Sequence, residues 1–150
     1  YSDSGFNNST LLGDTLADYY DQGGYVVIAT FANASVPIGG RFLNGGYMLI
    51  QTGGQEQPND ALGVIAEPNS PLVKDFKVLT ATSAYRSTGG AINGGVVVAS
   101  WNSGKPLIVR GVVKGRNIVS LNCYPPSNGA RADFITGDVA ALLRNALLFR

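Results

Sequence analysis

An α/β fold is what this sequence predicts, on three observations. Residues 9–22, "STLLGDTLADYYDQ", place Leu11, Leu12, Leu16 and Tyr19 or Tyr20 at helical spacing. The run "YVVIAT", residues 25–30, is short, continuous and β-branched, as in a strand buried within a parallel sheet. The stretch "TGDVAALLRNALLFR" returns to helical spacing, with an apolar stripe at Val139, Leu142, Leu143, Ala146 and Leu147.

Taken in order, the first helix is capped by Ser9 or Thr10 and ended by Gly23-Gly24. Helix, tight turn and buried strand make the second half of a β-α-β unit. Its first strand is expected at or before Tyr1, so the fold is expected to lack that strand within this chain. The opening "YSDSGFNN" reads as the end of a strand, which points to a processed chain or a fragment of a longer precursor. Residues 36–60 are rich in Gly, Asn and Gln and predict loop, with one short strand or helical turn at "YMLI". "ALGVIAEPNSPLV" predicts a strand stopped by Pro68 and Pro71, and "VLTATSAYRST" alternates weakly. "GGVVVASW", "KPLIVRGVV" and "RNIVSLNCY" predict three strands joined at Asn102-Ser-Gly104 and Lys114-Gly115, an antiparallel meander. Thr136 is placed to cap the last helix, with Asp138 in its first turn. The expected whole is one domain over residues 1–150. It has a mainly parallel, flavodoxin-like sheet with helices on both faces and an antiparallel extension over residues 95–123.

Composition narrows the function classes. Charged residues are 14% of the chain, the net charge is +1, and Lys and Arg are scattered. A nucleic-acid binder shows a clustered basic stripe instead. No apolar run approaches the roughly 20 residues a membrane helix needs, so membrane insertion is not expected. The single cysteine, Cys123, allows no intrachain disulfide and reads as a buried small hydrophobe. With no histidine and no calcium-loop spacing of Asp, neither metal nor cofactor is expected. Glycosylation sequons occur at Asn7, Asn8 and Asn33.

The segments "GDTLADYYDQGGYVVIATFANA", "GRF", "LGVIAEPNSPLV", "VVVASWNSGKPLIVR", "GRNIVSLNCYPP" and "DVAALLRNALLFR" follow an order that resembles the class I glutamine amidotransferase-like fold, in its trehalose-utilisation branch. The opening "SDSGF…LADY…GG" and the later "LNCYPP" resemble still more closely uncharacterised domains of secreted bacterial proteins. In the amidotransferases the strand matching "YVVIAT" ends in a turn that carries a nucleophilic Cys, and the trehalose-utilisation branch has a His nearby. Thr30 and Phe31 stand there in this chain. A Ser or Cys nucleophile needs an adjacent base, so the resemblance implies the frame of an enzyme without its catalytic residues. Phe31 is expected to be buried and Thr30 to lack a charged partner.

Ligand-binding candidates gather where open α/β sheets bind, at the carboxyl ends of strands. They are Asp3, Ser4, Asn33, Arg41, Tyr85 and Arg86, with Trp101 beside them. Asp14, Asp18 and Asp21 share a helix face and read as a solvated surface. These features lead to a non-catalytic extracellular structural or assembly module. Its expected partners are copies of itself, in a ring or filament, or neighbouring domains of a longer chain. A carbohydrate- or small-ligand-binding module is the alternative, with a glycan as partner. A hydrolase working through carboxylates alone is the third.

Overall fold

The computed structural model describes residues 5–125 and 133–150. The chain forms one α/β domain around a mixed sheet of seven strands. In chain order the elements are α1 (Ser9–Asp21), β1 (Val27–Ala29), α2 (Gly40–Asn44), β2 (Gln55–Glu56), β3 (Asp60–Ile65), a 3-10 turn (Pro71–Val73), β4 (Leu79–Ala81), β5 (Arg86–Ser87), β6 (Val96–Trp101), β7 (Pro106–Val113), β8 (Arg116–Leu121), β9 (Ile135–Gly137) and α3 (Val139–Leu148). The sheet order is β1-β8-β7-β6-β3-β4-β9, and β2 and β5 pair separately.

The mainly parallel sheet expected from sequence is corrected. Among the described residues only β1 and β8 pair in parallel, with Ile28 opposite Ser120. The pairs β8·β7, β7·β6, β6·β3, β3·β4 and β4·β9 are antiparallel. For β6·β7 and β7·β8 short turns dictate this, because a strand that reverses within a few residues can only lie antiparallel to its neighbour. Lys114 (φ 48°) and Gly115 (φ 79°) turn left-handed and close the β7–β8 hairpin tightly. The meander thus forms the middle of the sheet rather than an appendage.

Strand alternation divides the core between the two faces. Ile28, Val109 and Ile118 pack with Ala17 and Tyr20 of α1 and Phe42 of α2. Ala29, Ile108, Val119 and Leu121 pack with Leu72 and Val73 of the 3-10 turn and Leu142 and Ala146 of α3. Gly13 lets α1 lie close to the following loop, since a Cβ there would stand 1.9 Å from the Gly39 carbonyl oxygen. The "YMLI" segment is neither strand nor helix, yet Tyr47, Met48, Leu49 and Ile50 are all buried and Ile50 bridges to Ala91.

Both helix starts differ from expectation. Asn8, not Ser9 or Thr10, caps α1, its Oδ1 accepting from the Leu11 amide at 2.9 Å. Thr136 lies in β9, paired with Thr80, so it is taken by the sheet before α3 begins. Asp138 holds the helix start, and its carboxylate accepts from the Lys77 and Val78 amides at 2.7 and 2.9 Å. Leu147 does not face the sheet: it is 57% exposed. The buried stripe of α3 is Leu142, Asn145 and Ala146, with Val139 and Leu143 at its border. Asn145 fits there because its Nδ2 donates to the carbonyls of Leu72 and Lys74 at 3.2 and 2.6 Å.

Candidate functional site

The β1·β8 pair places its carboxyl ends side by side, and a group of neutral polar side chains sits there. Thr30, Asn33, Ser87, Ser120 and Asn122 all have no measurable exposure. Asn122 is the hub. Its Oδ1 accepts from the Ser87 amide at 2.7 Å and from Thr30 Oγ1 at 3.4 Å, and its Nδ2 donates to the Ser87 carbonyl at 3.0 Å. The Asn122 carbonyl accepts from Trp101 Nε1 at 3.0 Å. Thr30 Oγ1 therefore faces an amide oxygen, which is too weak a base to activate a hydroxyl at neutral pH. Phe31 is 6% exposed and packs against Tyr85 and Tyr124, with ring centroids 4.9 and 5.4 Å away.

Just past β1 the chain turns back on itself. The amides of Ala32, Ala34 and Ile38 donate to the carbonyls of Ala29, Phe31 and Ala32 at 3.0, 3.0 and 3.1 Å. These bonds keep Asn33 against the strand ends. Both polar atoms of the Asn33 carboxamide and the hydroxyl of Ser120 are buried without a hydrogen-bond partner. Cys123 follows on the same segment. Its thiol is enclosed, and burial pushes its pKa up to about 12. A thiol of that pKa is protonated at neutral pH and is a poor nucleophile.

A second polar cluster lies at the β2–β5 pair. Arg86 is 5% exposed; its Nε meets Glu56 Oε1 at 2.7 Å and its Nη1 meets Asp60 Oδ2 at 2.5 Å. Ser103 Oγ donates to the same Asp60 oxygen at 2.6 Å, and the Arg86 guanidinium lies 5.7 Å from the Trp101 ring centre. Burial acts to raise the Asp60 pKa. The bonds from Ser103, Arg86 and the Ala61 amide, with the Arg86 charge, outweigh it and hold the carboxyl below its ordinary value.

These clusters show where the sequence-predicted residues stand. Asp3 and Ser4 lie outside the described residues. Asn33 and Tyr85 are at the strand ends. Arg86 is beside them in sequence, but its guanidinium is occupied by two carboxylates. Arg41 is elsewhere: its amide donates to Asp14 Oδ1 at 2.8 Å and its guanidinium pairs with Asp18, tying α2 to α1. Trp101 is in the core at 1% exposure. Asn7 and Asn8 are exposed, whereas the fully buried Asn33 has no room for a glycan in the folded chain. Ser87, Ser120 and Asn122 escaped the sequence reading. Ser120 and Asn122 carry a signal in "IVSLNC", as two polar residues spaced by two on one face of an otherwise apolar strand.

Three further acidic groups are engaged. Asp21 accepts from Tyr47 Oη and Lys114 Nζ at 2.8 and 2.5 Å, Glu67 takes Arg110 through both its oxygens, and Asp75 pairs with Arg144 at 3.3 Å. Hydrogen bonds from Lys114 and Tyr47 lower the Asp21 pKa, and those from Arg110 lower that of Glu67. No group of three or more His, Cys, Asp or Glu side chains suited to a metal ion occurs among the described residues. No helix among them is long and apolar enough to cross a membrane. A surface depression of about 450 Å³ is lined by Glu67, Pro68, Arg110 and Phe149, none of which belongs to either buried cluster.

No protein-family model matches the chain, and no curated protein matches it. Among solved structures, it is similar to a Salmonella typhimurium protein described as cytoplasmic protein STM3548. The two superpose with a TM-score of 0.65 at 17% identity, over 91% of this chain and 58% of that one. The chain thus spans about three-fifths of its neighbour's length, and the likeness is one of fold. It corrects the extracellular location expected from sequence, because the neighbour is described as a cytoplasmic protein.

Proposed function

We propose that this chain is a non-catalytic module of amidotransferase-like descent that acts by association, with copies of itself or with neighbouring domains. One observation carries the non-catalytic part. At the turn where an amidotransferase presents its nucleophile, Thr30 is enclosed, and the partner of its hydroxyl is the Asn122 amide oxygen. Asp21, Asp60, Glu67 and Asp138 do not suit acid catalysis either, since their carboxyls are each held below the ordinary value, away from the raised value a general acid needs.

Association is supported by β9. Among the described residues it pairs only with β4, and Thr136 and Gly137 are exposed on it. Such an edge is a template for a further strand. Light scattering across a concentration series tests this. Growth in mass with concentration is expected for the unaltered chain, and Thr136→Lys, which sets a charge on the edge, should reduce it. A monomer at every concentration, with no binding to a neighbouring domain, would overturn the association reading.

A second reading, a carbohydrate- or small-ligand-binding module, is favoured by a separate observation. The Asn33 carboxamide is wholly buried at the strand ends with nothing of the protein bonded to it.

A further inference from the structure

Among the described residues Arg41, Arg86, Arg110 and Arg144 each pair with a carboxylate. Arg116 and Arg150 form no such pair there, and both line the same pocket. It measures about 240 Å³ and is otherwise walled by Gly23, Gly24, Tyr25, Gly115 and Asn117, none of them acidic. The fold explains the meeting. β1 and β8 run parallel, so residues 23–25 leading into β1 and Gly115 leading into β8 stand at the same end of the pair. Tyr25 then holds the last turn of α3, its Oη donating to the Ala146 carbonyl at 2.8 Å, and Arg150 follows that helix. Burial pushes the Tyr25 phenol up to about 12, and the positive charge of Arg150 works against the rise, so Arg150 lies near that hydroxyl.

Tyr20 fixes the other guanidinium. Arg116 Nη2 donates to the Tyr20 carbonyl, its Cζ lies 4.9 Å from the Tyr20 ring centre, and Tyr20 Oη donates back to the Arg116 carbonyl at 2.6 Å. The Nε and Nη1 protons of Arg116 are left unspent among the described residues. Gly23 (φ 106°) turns left-handed beside it. A Cβ at Gly23 would stand 3.3 Å from Arg116 Nη1, so the missing side chain keeps that nitrogen open to the pocket. The neighbouring Asp21 carboxylate is already bound by Tyr47 and Lys114.

We infer that this pocket binds one phosphate group, with the guanidiniums of Arg116 and Arg150 as its charged ligands. Two like charges on one small pocket repel unless an anion lies between them. The guanidinium fork matches the oxygens of phosphate or carboxylate. A phosphate ester carries about −1.5 to −2 charge at neutral pH, which balances two arginines, whereas a carboxylate balances one. A cation finds no acidic side chain on these walls. The volume is below the roughly 300–1,000 Å³ that encloses a whole drug-sized ligand, which suits a single ionic group. Two sources share this chemistry: inorganic phosphate and the phosphate ester of a small molecule. The site rests on neither reading above. It lies at the amino ends of β1 and β8, opposite to Asn33, and β1 and β9 are the two edges of the sheet.

Calorimetric titration at neutral pH and equal ionic strength tests it, with inorganic phosphate and with glycerol phosphate, on the unaltered chain, Arg116→Gln and Arg150→Gln. Saturable binding of one phosphate per chain is expected. It should weaken about tenfold or more in each variant, the loss expected when a hydrogen bond to a charged group is removed. Arg150 is exposed and outside the core, so Arg150→Gln gives the answer should Arg116→Gln not fold. Glycerol phosphate binding more tightly than inorganic phosphate identifies an ester as the source, and equal or weaker binding identifies the free ion. Absence of saturable binding of either at millimolar concentration overturns the site. Binding that survives unchanged in Arg150→Gln overturns it too. Neither result bears on the light-scattering series, so the association reading stands or falls separately.

Discussion

Two buried polar clusters meet at Asn122 and Trp101, and they are built on opposite principles. Around Arg86 the groups are charged, and the guanidinium has a carboxylate at 2.7 Å, another at 2.5 Å and the Trp101 ring beneath it. Around Asn33 the groups are neutral, and three of their atoms have no protein partner. A cluster whose bonds are all spent can only hold the fold together, as the Arg86 network does by joining β2, β3 and β5. A cluster with bonds to spare can hold something else. The sequence reading placed Arg86 and Asn33 in one ligand cleft; the structure separates them by this criterion.

The largest effect should come from breaking the charged cluster. Arg86→Met leaves Asp60, whose side chain is 6% exposed, without its counter-charge. Breaking one member of a buried ion pair costs about 3–5 kcal/mol, so denaturant unfolding should show a loss of that order. A loss under about 1 kcal/mol would mean that water reaches Asp60 and that the cluster is not sealed. Next comes the residue that joins the two clusters. Asn122→Ala strands the Ser87 amide and carbonyl, and a loss of about 1–3 kcal/mol is expected by the same measurement.

Acid should distinguish the clusters without mutation. The Asp60 carboxyl is held below its ordinary value in the folded chain, so its contribution is full above the unfolded carboxylate range. It is lost as pH falls through the lowered folded value. The neutral cluster has nothing to titrate there. Melting temperature against pH should therefore fall at the acid end for the unaltered chain, and the Asp60 part of that fall should be missing in Asp60→Asn. The smallest effect belongs to neither cluster: Leu147→Ala, on the exposed side of α3, should change stability by no more than about 0.5 kcal/mol. A loss of 2 kcal/mol or more would return Leu147 to the core.

What the sequence made legible was local. Helices α1 and α3 and the β6–β7–β8 meander follow from the spacing of apolar side chains within single segments and from turns such as Lys114-Gly115. The partner of β1 was not legible, because "YVVIAT" has the same buried-strand pattern whether its neighbours run parallel or antiparallel. Register with β8, some 90 residues away, is set by tertiary packing. The same limit hid Ser120 and Asn122. In a linear reading they are polar interruptions of an apolar run, and only the pairing of β8 with β1 brings them beside Thr30. Phe31 was legible, since an aromatic residue ending a buried strand has few places to go but inward. Leu147 was misread as part of the buried stripe, and Asn145, two residues earlier, is buried instead because its amide reaches the carbonyls of Leu72 and Lys74.

The central claim is that the end of β1 is packed and unreactive, not a working nucleophile turn, and the chain carries its own reporter in Cys123. The thiol is fully enclosed and its pKa is pushed up to about 12. Labelling by a chromogenic disulfide reagent at neutral pH measures both properties together. The account predicts that the folded chain reacts only as fast as it unfolds, and that one thiol per chain reacts at once in denaturant. Rapid labelling of the folded chain, with a rate that rises through neutral pH, would show an accessible thiolate at the strand ends and contradict the account.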